Sequence, residues 1–140
     1  MVYVDTSVLV ALYTKEVKSA DVSRWYATCA DELVSAVWCV SEFASALGIK
    51  QRTGQISDSE AQAAWIQFER MCANDLQLLP IEPGTFHRAA VLTLDAASGL
   101  RAGDALHLAA ALDIKAKSIA TLDEVLAKNA KRVKLKQTKV

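Results

Sequence analysis

Short runs of β-branched, aromatic and aliphatic residues recur along this 140-residue chain, and most give way at once to a segment with helical periodicity. Residues 2–5 (VYVD) read as a strand that passes into an apolar helix starting at Thr6 and Ser7 and lasting to about Tyr13. A second helix is expected over 19–30, where Val22, Tyr26 and Cys29 recur at helical spacing, followed by a brief extended piece over 32–35. Residues 36–48 form a helix with Val40, Phe43, Ala44 and Leu47 on one face, and Gly54 breaks the chain. Ser57, with Glu60 three residues on, opens a further helix to about Asn74 by a capping-box pattern. A strand over 76–81, closed by Pro80 and Pro83, precedes a helix over 85–97 that Gly99 ends. Gly103 introduces a helix of small and apolar residues, DALHLAAAL. The remainder reads as a strand over 118–122, a helix over 123–130 and a last short strand over 133–136. Strands that alternate with helices imply a parallel sheet covered on both faces. Right-handed crossovers then bring the carboxyl ends of all strands to one edge, where α/β proteins bind their ligands.

The length suits one domain spanning 1–140, and 52% hydrophobic against 23% charged residues describes a chain able to bury a core. The net charge of zero conceals an asymmetry. Residues 1–127 hold ten Lys and Arg against sixteen Asp and Glu, whereas 128–140 hold six Lys and Arg and no acid. A basic end segment on an acidic body attracts a polyanion or serves only to solubilise. The three cysteines form no C-x-x-C pair, so neither a disulfide framework nor a zinc site is expected, and a reducing cytoplasm fits them. The apolar start is too short for a signal peptide, and no stretch reaches a membrane span.

Four acids stand out. Asp5 and Asp123 each follow a strand and precede a helix, where an N-cap role would suffice, and Asp104 lies in a first helical turn, where a carboxylate suits the helix dipole. Glu42 resists such an account, because its helix face carries Trp38, Ser45 and Ile49 and none of the Lys or Gln of a solvated face. The sheet edge would gather Asp5 and Asp123, and the helices of Glu42 and Asp104 could converge there. Carboxylates ~6 Å apart repel by about 3 kcal/mol per pair at an effective dielectric of 20. Apart from Arg101, one turn before Asp104, no basic residue adjoins them in sequence, so a hard divalent cation, Mg²⁺ or Mn²⁺, is the simplest neutralising partner. His107, three residues after Asp104, reads as a packed or supporting histidine more readily than as a ligand. The tryptophans Trp25, Trp38 and Trp65 read as core or interface residues.

The stretches VYVDTSVLVAL, VSEFASAL, LRAGDALHLAAAL and IATLDEVLAKNA, in that order and spacing, resemble the PIN-domain family, and within it the VapC-type ribonuclease toxins of toxin–antitoxin pairs. The resemblance implies a central parallel sheet of about five strands in the order 3-2-1-4-5. It carries the acidic metal set onto Asp5, Glu42, Asp104 and Asp123, with Thr6 and Thr121 as supporting hydroxyls. The lysine-rich end has no place in that pattern. The activity expected is hydrolysis of RNA phosphodiesters to 5′-phosphate and 3′-hydroxyl ends, with Asp5 and Asp104 the leading direct ligands. Arg101, Lys134 and Lys136 are candidate phosphate contacts, and the partners implied are RNA, a cognate antitoxin and a second copy of the chain. An RNA-processing PIN nuclease without an antitoxin, or a non-catalytic RNA-binding module, would share the fold. A phosphatase built on Asp5 would want a second acid two residues on, where Ser7 stands.

Overall fold

A computed structural model describes residues 1–140. The strands are β1 (Val2–Val4), β2 (Leu33–Ala36), β3 (Leu76–Leu79), β4 (Ser118–Ala120) and β5 (Lys136–Gln137). The helices are α1 (Thr6–Tyr13), α2 (Ser19–Thr28), α3 (Trp38–Arg52), α4 (Asp58–Asn74), α5 (Pro83–Leu94), α6 (Ala102–Asp113) and α7 (Glu124–Arg132), with a 3₁₀ turn at Ala96–Ser98. All strands are parallel in the order β3-β2-β1-β4-β5, the order implied by the family resemblance.

Strand alternation divides the core between the sheet's two faces. Val2 and Val4 point to one side, into a cluster with Val8, Phe43, Leu47, Phe68 and Met71 from the helices α1, α3 and α4. Phe43 stacks on Phe68 at 4.2 Å between ring centroids. Tyr3 points to the other side, with Val34 and Ile119, into a cluster covered by Ala105, Leu108, Ala109 and Leu126 of α6 and α7. The small residues of α6 allow it to lie close against the sheet.

Several boundaries differ from the sequence reading for local reasons. Helix α3 does not stop at Gly48; it runs through it to Arg52, and Gly54, at φ 72°, makes the turn beyond. Helix α5 starts earlier, with Pro83 in its first turn, where a missing N–H costs nothing, and ends at Leu94 before the separate 3₁₀ turn. The last strand is displaced: Val133 still caps α7 and Lys134 is left-handed at φ 62°, so pairing begins only at Lys136. The Ser57–Glu60 capping box forms with both of its hydrogen bonds.

Candidate active site

Asp5 ends the central strand, its N–H bonded to Ala120 O at 2.9 Å. Its Oδ2 accepts from Ser7 Oγ at 2.5 Å, Ser7 N at 3.3 Å and Thr121 Oγ1 at 2.9 Å. It is therefore both the N-cap of α1 and a carboxylate buried at the sheet's carboxyl edge. Asp123 repeats the pattern after β4, since its Oδ1 caps α7 through Leu126 N at 2.7 Å. Thr121 links the two acids: it donates to Asp5 and accepts from Asp123 N at 3.0 Å. Both acids thus act as helix N-caps at the carboxyl edge of the sheet.

Glu42 enters from α3 and has its partners. Thr6 Oγ1 donates to its Oε2 at 2.6 Å, and His107 Nε2 reaches the same oxygen at 2.5 Å. His107 is 1% exposed, and its Nδ1 lies 2.8 Å from Tyr3 Oη, which in turn accepts from Ala36 N at 3.1 Å. His107 Nε2 also stands 3.6 Å from Asp5 Oδ1. On the other side of Glu42, a Cβ placed on Gly103 would lie 2.7 Å from Oε1 and 3.4 Å from Trp38 Nε1. That indole N–H is buried and donates no hydrogen bond.

The electrostatics bind the four acids into one group. Burial raises the Asp104 carboxyl above its ordinary range, and the charges of Asp123, Asp5 and Glu42 push it further, against a smaller pull from His107. Glu42 moves the other way: burial alone would raise it, but the hydrogen bond and charge of His107 and the Thr6 hydroxyl hold it below the usual value. His107 answers in kind. Burial would depress the imidazole, yet Glu42, Asp5 and Asp104 together hold it above its ordinary value.

As the side chains lie, no three His, Cys, Asp or Glu groups are gathered tightly enough to share one ion. The donor chemistry nonetheless suits a hard cation. Asp5 Oδ1, Glu42 Oε1, Asp123 Oδ2 and both Asp104 oxygens accept no hydrogen bond, and all are carboxylate oxygens.

Thr6 and Thr121 both bond to carboxylates of the group, to Glu42 and Asp5 respectively. Arg101 is exposed at the N-cap of α6, one turn from Asp104. Lys134 and Lys136 lie apart from the acids. Lys136 pairs with Ser118 at the start of β4, which places it and Lys134 toward the opposite edge of the sheet. Lys18 and Lys139 line a cleft together with Thr121 and Asp123, a proximity that the linear sequence gave no sign of. Sequence reasoning also passed over Ser7 and Tyr3. A hydroxyl two residues after an end-of-strand aspartate is a local signal for the first; nothing local marks the second.

The PIN domain profile matches residues 2–132. No curated protein matches the chain. Among solved structures, it is similar to VapC20 of Mycobacterium tuberculosis, a sarcin-ricin loop cleaving toxin, at 13% identity and a TM-score of 0.75, over 92% of this chain and 95% of that one. It is similar also to the FitAcB structure from Neisseria gonorrhoeae, at 15% identity and a TM-score of 0.66, over 98% of this chain and 96% of that one. VapBC2 of Rickettsia felis, bound to a DNA fragment from its promoter, gives 13% identity and a TM-score of 0.63 over 99% and 98% of the respective chains. At such identities these likenesses speak for the fold, and the profile match over nearly the whole length speaks for the family: the chain belongs to the PIN-domain family.

Proposed function

We propose that this protein is a Mg²⁺- or Mn²⁺-dependent endoribonuclease in which Asp5, Glu42, Asp104 and Asp123 form the metal-binding and catalytic set. The observation that carries the reading is the set of carboxylate oxygens left without a hydrogen bond on Asp5, Glu42, Asp104 and Asp123, with the raised Asp104 carboxyl consistent with it. Four carboxylates kept together at a sheet edge disfavour folding unless something positive completes them. His107 and Arg101 are the cations at hand, and His107 is committed to Glu42.

Asp5, Asp104, Asp123 and Glu42 would hold the cation, which when bound offsets the negative charge between phosphate and acids and makes water more acidic. The chain's own residues do the rest. Ser7 and Thr121 fix Asp5 through Oδ2, so that Oδ1 faces the group. Thr6 and His107 do the same for Glu42, leaving Oε1. Arg101 on one side, and Lys18 and Lys139 beside Asp123, are placed to bind flanking phosphates by charge. With water as the nucleophile the products carry 5′-phosphate and 3′-hydroxyl ends.

Solved structures that share the fold include a toxin–antitoxin complex from Klebsiella pneumoniae and VapBC2 of Rickettsia felis on its promoter DNA. By that likeness we assign the chain the toxin role, with a cognate antitoxin, and by the family resemblance a homodimeric state. No helix is long and apolar enough to cross a membrane. The test is cleavage of an RNA pool with Mg²⁺ or Mn²⁺ and with excess EDTA, followed by end-group analysis. Activity that survives EDTA, or 2′,3′-cyclic phosphate ends, would overturn the mechanism. Expression of the chain alone should arrest growth and Asp5→Ala should relieve the arrest. Normal growth at high levels of active protein would instead favour an RNA-processing nuclease.

A further inference from the structure

Tyr3 and His107 are 0% and 1% exposed, and Tyr3 belongs to the apolar layer between the sheet and α6. Polar rings in such a layer cost free energy unless every polar atom is satisfied. Here each one is. Ala36 N–H donates to Tyr3 Oη at 3.1 Å, and Tyr3 Oη shares a hydrogen bond of 2.8 Å with His107 Nδ1. Nε2 meets Glu42 Oε2 at 2.5 Å, where the Thr6 hydroxyl also donates. A Phe and a Leu would fill the same space without these requirements, so packing alone does not account for the pair. Nε2 also lies 3.1 Å from Thr6 Oγ1, so the chain of bonds converges on Oε2 of Glu42. The other oxygen, Oε1, is turned toward Gly103, where even a methyl group would stand 2.7 Å away.

We propose that Tyr3 and His107 are positioning residues for Glu42: by holding Oε2, they fix the orientation in which this carboxylate is presented to a divalent cation. The proposal rests on the metal-dependent reading above. It assigns Tyr3, which touches neither cation nor RNA, an effect on the site that runs through His107 and chiefly through Glu42.

The probe is Mn²⁺ alone, titrated calorimetrically into the full chain, with folding checked by circular dichroism. Tyr3→Phe removes one oxygen and keeps the ring, and should weaken Mn²⁺ binding by roughly tenfold, the scale on which supporting hydrogen bonds tune metal sites. In a Glu42→Gln background the same substitution should change Mn²⁺ affinity less than about twofold, because its main route is gone. His107→Gln, which keeps an N–H donor, should retain more affinity than His107→Leu; if the latter does not fold, the Tyr3→Phe cycle decides alone. An equal loss in both backgrounds, or a Tyr3→Phe loss larger than that of Glu42→Gln itself, overturns the positioning role. Unchanged Mn²⁺ binding by folded Tyr3→Phe, with the wild type binding, overturns it too and leaves the nuclease reading standing. A wild-type chain that binds no Mn²⁺ overturns both.

Discussion

Thr121 donates its hydroxyl to Asp5 Oδ2 at 2.9 Å and, through the same oxygen, accepts the backbone N–H of Asp123 at 3.0 Å. One side chain thus sets both the orientation of the acid ending β1 and the start of the turn that carries the acid after β4. Thr121→Val keeps the shape and removes both bonds. Stability should fall by roughly 1–2 kcal/mol, the scale for a buried hydrogen bond to a charged group. Cleavage should fall about tenfold or more with RNA binding little changed, since the acids lose alignment and not charge. Urea melts and steady-state kinetics on one RNA check the two parts separately.

Asp104→Asn tests the mutual repulsion of the acids. A carboxyl whose folded value is raised binds more protons in the native state than in the unfolded one, so metal-free wild type should lose stability as pH rises through and just above the ordinary aspartate range. The variant should lack that slope and be more stable without metal at neutral pH, by roughly 1–3 kcal/mol after solvent screening. Mg²⁺ should raise the wild-type melting temperature and do little for the variant. Activity should drop by orders of magnitude. A destabilised, fully active Asp104→Asn would remove Asp104 from the site.

Gly103→Ala should separate folding from function. Gly103 lies in the first turn of α6 at an ordinary helical φ, so alanine suits the helix better than glycine by up to about 1 kcal/mol. Its Cβ, however, would stand 2.7 Å from Glu42 Oε1 and force that carboxylate aside. The expected outcome is a folded variant whose melting temperature is at or below that of wild type, the helix gain being offset by strain on the bonds of Glu42 to His107 and Thr6, with turnover lowered about a hundredfold, as a displacement of about 1 Å at a reacting centre can cause. Wild-type turnover in the variant would show that Glu42 has room to spare.

Cys39, fully buried on α3, has its thiol pushed up to about 12 by burial, against a smaller opposing effect of Ser35. Iodoacetamide at pH 8 should therefore modify Cys29 and Cys72, which are half-buried, and spare Cys39 until the chain unfolds. Peptide mapping before and after denaturation reads this out. Labelling of Cys39 at the same rate as the others would mean that α3 opens locally.

The fold and the approach of the four acids to one another were legible for related reasons. Asp5 and Asp123 each close a short β-branched run and open a helix, so strand end, helix cap and carboxylate coincide at one position. Glu42 was conspicuous because its helix face offered it nothing in sequence. What that face lacked came from elsewhere: His107 is 65 residues away from Glu42, and Tyr3 is 104 residues away from His107. Pairings of that span leave no local trace, since a buried tyrosine in a strand reads as apolar filling. Gly48 misled in the opposite direction, because a glycine with an ordinary helical backbone does not end a helix that packs well on either side. The last strand was displaced because the left-handed turn at Lys134 carries no glycine or asparagine to announce it.

The division of the core by the sheet bears on how this protein responds to heat. Glu42 is mounted on α3, which packs into one apolar cluster, while Asp104 and His107 are mounted on α6, which packs into the other. The hydrogen bond between Glu42 and His107 therefore joins two half-cores that otherwise meet only at a few side chains beyond the sheet, among them Trp38 of α3. A small sliding of either layer over the strands leaves every helix intact and yet draws the acids out of alignment. On warming, affinity for the cation should decay before helical content does, so the temperature at which the site comes apart lies below the temperature at which the chain melts.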